Sequence, residues 1–353
     1  MRSGALVLVC LLAAGCGTLG SDGGEPGDLP HNGVGQFRTL TSSETGVRGG
    51  PPGRVVPLPR NAFDSGMVCA DRLFHINAAL IPDAGPQPDG FPEGEVDWSL
   101  FEPRRIHRSP PVSGIGFGPG EPILEAASAW EGADLLDPWA IVLGDGRARL
   151  YYAAAGGIGV AEAPTIDGAF TRVGDGPITL VDGGETPRRP SVVPSVDGRD
   201  LWMFYESAGD IWLASSADGL AFDPVDGDPG TAELDALDLG AGAPEAPAQV
   251  AVGAPGAMRV ESPVGRPFVR VYFESRRSDG SRTIALAATE DGVRYDRLPR
   301  AVLEEEDRRM PAPLAIDARV TLLYQSAPFL SGDRQLRGIV ASVAPRTVFF
   351  AAE

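Results

Sequence analysis

The sequence predicts an all-β protein, a five-bladed β-propeller with four antiparallel strands per blade. Three observations predict it. An aromatic strand, LWMFYES (201–207), recurs as VRVYFES (269–275), VTLLYQS (320–326) and, more loosely, ARLYYAA (148–154). Each copy is followed by a turn and a small-residue strand: IWLASS, TIALAAT, GIVASV and IGVAEA. A third element then repeats, an Asp-centred turn leading into an aromatic: ADGLAFDPV, EDGVRYDRL, IDGAFTRV and VDWSLFEPR.

The aligned aromatics Phe101, Phe170, Phe222 and Tyr295 recur at intervals of roughly 50–70 residues, the length of a propeller blade. An opening strand precedes each aromatic one, as in Trp139-Ala140-Ile141-Val142 and Ser191-Val192-Val193. Arg72 to Asn77 is a fifth, weaker aromatic copy. The periodicity is strand-like, and no segment carries the i, i+3, i+4, i+7 pattern of an amphipathic helix. The expected units are 61–119, 120–181, 182–239, 240–303 and 304–353. A β-sandwich would explain the strands but not their recurring order. Radially arranged four-stranded units explain both.

Composition agrees. The 353 residues are 43% hydrophobic and 22% charged, sufficient for a sizeable core. With 46 Gly and 33 Pro the chain turns often, so long helices are not expected. A formal net charge of −18 repels phosphate backbones, which excludes nucleic acid as an expected partner. The chain has no lysine, which excludes Schiff-base chemistry and a P-loop.

The N-terminus reads as an export signal. Arg2 precedes the apolar run from Ala5 to Leu12, which ends in Ala13-Ala14-Gly15-Cys16. A charged start, a short apolar stretch and small residues make a cleavable signal over residues 1–15. Small residues before a cysteine are similar to the bacterial lipobox, which makes Cys16 the expected lipidation site and the membrane anchor, with plain secretion as the alternative. Gly17 is not the Asp that retains some lipoproteins at the inner membrane, so the outer membrane is the expected location. Residues 16–60, rich in Gly and Pro, are expected to form a flexible tether, with the propeller at 61–353. Cys10 leaves with the signal and Cys16 carries lipid, so Cys69 is expected as a buried hydrophobe without a disulfide partner.

The strands "hhLYYS" followed by "hhhAxSxDGhxF" resemble those of the five-bladed propeller glycoside hydrolases (arabinanases, xylosidases, invertases, levansucrases). The matching stretches are LWMFYES with IWLASSADGLAF, and VRVYFES with TIALAATEDGVRY. The resemblance implies acidic residues presented to a central funnel by the opening strands. It points to Asp64 in NAFDSG, Asp137 in LLDPWAIV and Glu261 in RVESPVG as candidate catalytic carboxyls. Hydrolysis of a glycosidic bond needs one protonated and one ionised carboxyl flanking it, and a third acid raises the pKa of the proton donor. The third unit departs from that pattern. It opens with Arg188 and Arg189, an arginine pair suited either to a sugar carboxylate or to neutralising nearby acids. The bland alternative for the three acids is a strand-entry residue capping backbone N–H groups.

The three histidines are isolated in sequence and no zinc spacing occurs, so neither metal nor cofactor is expected. Two functions stay open. One is an envelope lipoprotein that binds a glycan, or another envelope component, at its funnel without catalysis. The other is an active glycoside hydrolase using the funnel carboxylates.

Overall fold

The computed structural model describes residues 18–19, 37–47, 51–57, 61–82, 95–113, 115–180, 184–225, 249–261, 266–298, 301–303, 307–316, 319–326, 329–331 and 334–344. They form a five-bladed β-propeller in which four blades are four-stranded antiparallel sheets and the fifth carries one additional short strand. Blade 1 is Asn61–Cys69, Arg72–Ala79, Arg105–Ser109 and Glu121–Leu124, from the axis outward. Blade 2 is Leu136–Val142, Ala148–Ala154, Gly157–Ala163 and Thr171–Arg172. Blade 3 follows with Arg188–Pro194, Leu201–Ser207, Asp210–Ser216 and Asp223–Pro224. Blade 4 has Gln249–Glu261, Pro267–Arg277, Arg282–Thr289 and Asp296–Arg297. The first strand of every blade packs against the first strands of its neighbours, which places it innermost.

Each second strand is buried on both faces because both faces are covered by adjoining blades. All seven residues of Ala148–Ala154 are buried, as are six of seven in Leu201–Ser207. Tyr151, Tyr152, Tyr205, Tyr272 and Tyr324 fill the wedges between blades, each no more than 1% exposed. Their polar ends find partners. The Tyr151 hydroxyl donates to the Gly219 carbonyl of the next blade at 2.9 Å. Trp139 Nε1 bridges blades 2 and 3 by donating to the Val192 carbonyl at 2.8 Å.

The Asp-Gly repeats are hydrogen-bonded turns. Asp218 Oδ1 accepts from the backbone N–H groups of Leu220 and Ala221. Asp291 Oδ1 does the same for Val293 and Arg294. In both turns the glycine N–H donates to a hydroxyl, Ser216 Oγ or Thr289 Oγ1. The carboxylate thus satisfies donors that a tight turn leaves over.

Blade 5 corrects the expected tether. Its antiparallel strands are Arg309–Ile316, Arg319–Gln325 and Ile339–Val343, with Thr18–Leu19 added in parallel beside Ala315 and Ile316, but its outer strand is Arg38–Thr39. Arg38 pairs with Val343 and Thr39 with Ser342. A short helix, Ser42–Thr45, follows, with a Thr41–Glu44 capping box and Gly46 as a left-handed C-cap. Val55 and Val56 are then fully buried, and Val55 N–H donates to the Ile339 carbonyl at 3.0 Å. Part of the stretch expected as tether is therefore domain, because a ring must join its last blade to its first. Residues 1–17, with the expected signal and Cys16, lie outside the described residues. The expected first boundary also shifts. Glu121–Leu124 pairs with Arg105–Ser109 and so completes blade 1.

Cys69 is a second correction. It is fully buried, as expected, but it is disulfide-bonded. The chain's other cysteines, Cys10 and Cys16, lie outside the described residues.

His75 and His107 face each other across neighbouring strands of blade 1, ring centroids 5.6 Å apart. His75 Nε2 meets Ser109 Oγ at 2.9 Å, and neither Nδ1 has a hydrogen-bond partner among the described residues. Burial and the neighbouring ring lower the His75 pKa to about 3; burial and the Arg105 charge lower that of His107 to about 4. Both values fall below the ordinary 6.5 of an unfolded histidine. Stability from the neutral rings is therefore fully present above pH 6.5 and is lost as pH falls towards 3. A melting temperature that declines below pH 6.5, with a shallower decline in H75Q/H107Q, is the expected result of thermal unfolding across that range. At Gly256 a Cβ would lie 2.0 Å from the Pro311 carbonyl oxygen of the next blade. Gly256→Ala is expected to cost about 3 kcal/mol in denaturant unfolding. Gly176→Ala, where a Cβ meets nothing within 4 Å, is the control expected to be near neutral.

Candidate functional site at the propeller axis

One irregularity recurs in every innermost strand. The pairing with the second strand skips two residues between Phe63 and Gly66 in blade 1, and between Arg188 and Ser191 in blade 3. The same skip falls between Gly253 and Gly256 in blade 4, and between Arg309 and Ala312 in blade 5. In blade 2 it leaves out Asp137 and Pro138. A bulge of this kind bends the strand and re-aims a side chain. The first bulge residues are Asp64, Asp137, Arg189, Ala254 and Met310, one from each blade. The last four precede proline and have φ of 49°, 56°, 46° and 56°. Left-handed backbone before proline is strained.

These bulges surround a cavity of about 30 Å³ lined by Ser65, Asp137, Arg189, Ala254 and Met310, among others. That is room for roughly two waters, far less than a sugar ring.

Arg189 is anchored from behind. Glu206, on the second strand of blade 3, is fully buried. Its Oε2 accepts from Arg189 Nη1 at 2.6 Å, and its Oε1 from Arg188 Nη2 at 3.1 Å and Arg276 Nη2 at 2.9 Å. Glu206 Oε2 also accepts the Ala254 backbone N–H at 2.7 Å, which ties blade 3 to the bulge of blade 4. Gly253 makes room for this, since a Cβ there would lie 2.2 Å from Glu206 Oε2. Glu274, equally buried in blade 4, accepts from Arg276 Nε at 2.8 Å and Arg282 Nη1 at 2.7 Å.

Burial alone would raise the Glu206 pKa, but the charges of Arg189, Arg276 and Arg188 hold it down to about 2. Glu274 is lowered by the same opposition between burial and arginine charge. For Arg189, burial works against the charged form, and Glu206, Glu274 and Asp137 override it, so its pKa is raised. Every one of these groups is ionised near neutral pH. Neither buried glutamate can serve as a proton donor there.

The structure brings some of the sequence candidates together and not others. Asp137 and Arg189 line the same cavity. Asp64 occupies the equivalent bulge of blade 1 by register, while its side chain lies outside the described residues. Arg188 is half exposed and shares Glu206 with Arg189. Glu261 is not at the axis. It ends the long inner strand of blade 4, seven residues beyond Ala254, which is about 20 Å along extended chain. Its carboxylate is exposed and lies 3.8 Å from Arg259. The bulge position of blade 3 holds arginine and that of blade 4 alanine. Sequence reasoning missed Glu206 and Glu274 as members of the site. Their signal was present, as the shared Glu of LWMFYES and VRVYFES.

Among the described residues, no three His, Cys, Asp or Glu are grouped to hold a metal ion. No protein-family model and no curated protein matches the chain. Solved structures do. An endo-arabinase from Bacteroides thetaiotaomicron VPI-5482 superposes with a TM-score of 0.53 at 13% identity, over 81% of this chain and 96% of its own. Zg3597, a family 117 glycoside hydrolase from Zobellia galactanivorans, gives 0.54 at 16% identity over 90% and 91%. The catalytic domain of the Coprinopsis cinerea GH62 α-L-arabinofuranosidase gives 0.53 at 10% identity over 88% and 98%. This chain has the five-bladed propeller fold of these glycoside hydrolases.

Proposed function

We propose that this protein is a cell-envelope lipoprotein whose propeller binds a glycan at the mouth of its axial cavity without hydrolysing it. The observation that carries the reading is Arg189 at the axial position of blade 3, where it is paired with Glu206 and set against Asp137. Hydrolysis requires a carboxylic acid still protonated at working pH within roughly 5–10 Å of an ionised one. Glu206 and Glu274 are held ionised by arginines, and Glu261 lies on a distant edge. Asp137 with Arg189 offers an acceptor and a donor side by side, the pairing that suits sugar hydroxyls. The fold shared with solved glycoside hydrolases supports a glycan as the partner class. Cys16 would supply the lipid anchor, with the outer membrane as its location.

The alternative, an active hydrolase, draws on Asp64 and Asp137 occupying equivalent bulges of adjacent blades. Titration calorimetry and reducing-sugar release on a panel of arabinan, xylan, fructan and hexose glycans separate the two. Binding without sugar release, weakened about tenfold in Asp137→Asn, is expected. Robust hydrolysis abolished by Asp137→Asn or Glu261→Gln would establish the alternative. The anchor has its own test, because a thiol that carries lipid cannot also form a disulfide. Mass spectrometry of the protein extracted from envelopes is expected to find acylated Cys16 as the first residue. A peptide joining Cys16 to Cys69 would remove the lipid anchor.

A further inference from the structure

Two polar groups on residues that line the axial cavity have no hydrogen-bond partner among the described residues. Ser65 is 8% exposed, and its Oγ is buried with no hydrogen-bond partner among the described residues. Arg189 Nε, on the far side of the axis, is likewise buried and unpaired. Both residues line the same cavity as Asp137. A buried donor left unsatisfied costs about 1–3 kcal/mol, and a ligand group that satisfies it recovers that cost. The rest of the wall is apolar, formed by Pro138, Pro190, Pro255 and Pro311 with Met67 and Met310.

Size, polarity and charge each narrow the occupant. A space of about 30 Å³ takes two heavy atoms and not a ring. Apolar walls with a polar end fit one carbon followed by one oxygen. That oxygen must accept from Arg189 Nε and can exchange a hydrogen bond with Ser65 Oγ or Asp137. Charge argues against an anion. Arg189, the arginine that lines the cavity, is already paired with Glu206, so a ligand carboxylate would meet the Asp137 charge beside a guanidinium already engaged.

We infer that the axial cavity receives an exocyclic hydroxymethyl group, so that the protein selects sugars that carry one over pentopyranoses that do not. The inference rests on the glycan-binding reading above and names the class of sugar that site takes. Methyl glycosides that differ by this single group form the test: glucoside against xyloside, galactoside against arabinopyranoside, with glucuronide and galacturonide as the acidic set and arabinofuranoside as a five-carbon sugar that has the group. Affinities come from titration calorimetry and saturation-transfer NMR on the full mature chain. At least one hydroxymethyl sugar is expected to bind tenfold or more tightly than its pentopyranose partner. Ser65→Ala, which removes an unpaired hydroxyl and leaves the fold intact, is expected to cut that preference to threefold or less. Arg189→Gln is expected to abolish it, with a melting curve taken to confirm folding. Equal binding within each pair, or a preference for the uronides, overturns the inference while leaving glycan binding in place. A preference untouched in Ser65→Ala and in folded Arg189→Gln overturns it too. No binding of any glycoside overturns both readings.

Discussion

The geometry of the axis depends on a buried polar side chain that reaches from one blade to the bulge of the next. The second-strand residues paired with the position just before each bulge are Asn77, Ala153, Glu206, Glu274 and Gln325. Four of the five are polar, and all four are at most 5% exposed. Glu206 of blade 3 accepts from the Ala254 N–H of blade 4, and Gln325 Nε2 of blade 5 donates to the Phe63 carbonyl of blade 1. A bulge leaves backbone groups without ladder partners, and an unmet group in a dry interior is expensive. The neighbouring blade supplies the missing partner, so the strained left-handed residues are held from outside their own sheet. Inter-blade packing alone would position the sheets; these bonds position the side chains at the hub.

The same clamp decides the electrostatics. In blade 3 the clamp is a carboxylate, and a buried carboxylate demands cations. Arg188, Arg189 and Arg276 meet that demand. With Arg189 committed to Glu206, blade 3 presents a guanidinium at the axis. The charge at the hub is thus set by a structural requirement one layer out. In blade 5 the clamp is the neutral Gln325, and the axial residue there is the uncharged Met310.

The blades were legible in the sequence because each is written with one pattern: an apolar aromatic strand, a small-residue strand and an Asp-Gly turn whose carboxylate caps its own backbone. The closing strand was not, since two residues, Arg38 and Thr39, carry no periodicity and sit in Gly- and Pro-rich surroundings. The hub was half legible. Asp137-Pro138, Arg189-Pro190, Ala254-Pro255 and Met310-Pro311 share a dipeptide at the bulge. Glu261-Ser262-Pro263 is close to the same signal but lies at the end of a strand thirteen residues long, away from its bulge. Strand length, which comes from pairing with Pro267–Arg277, settles which proline marks the axis. The disulfide at Cys69 left no trace in spacing, because nothing in three cysteines fixes which of them meet.

The seam in blade 5 joins residues three hundred positions apart, Arg38 to Val343. Until Ile339–Val343 has emerged, a growing chain lacks the strand on which Arg38–Thr39 pairs, and the ring stays open between blade 4 and blade 1. Contacts of such long sequence separation form late. Closure of the ring is therefore tied to the arrival of Ile339–Val343, and a product cut short before that strand leaves Arg38–Thr39 without the edge it pairs with.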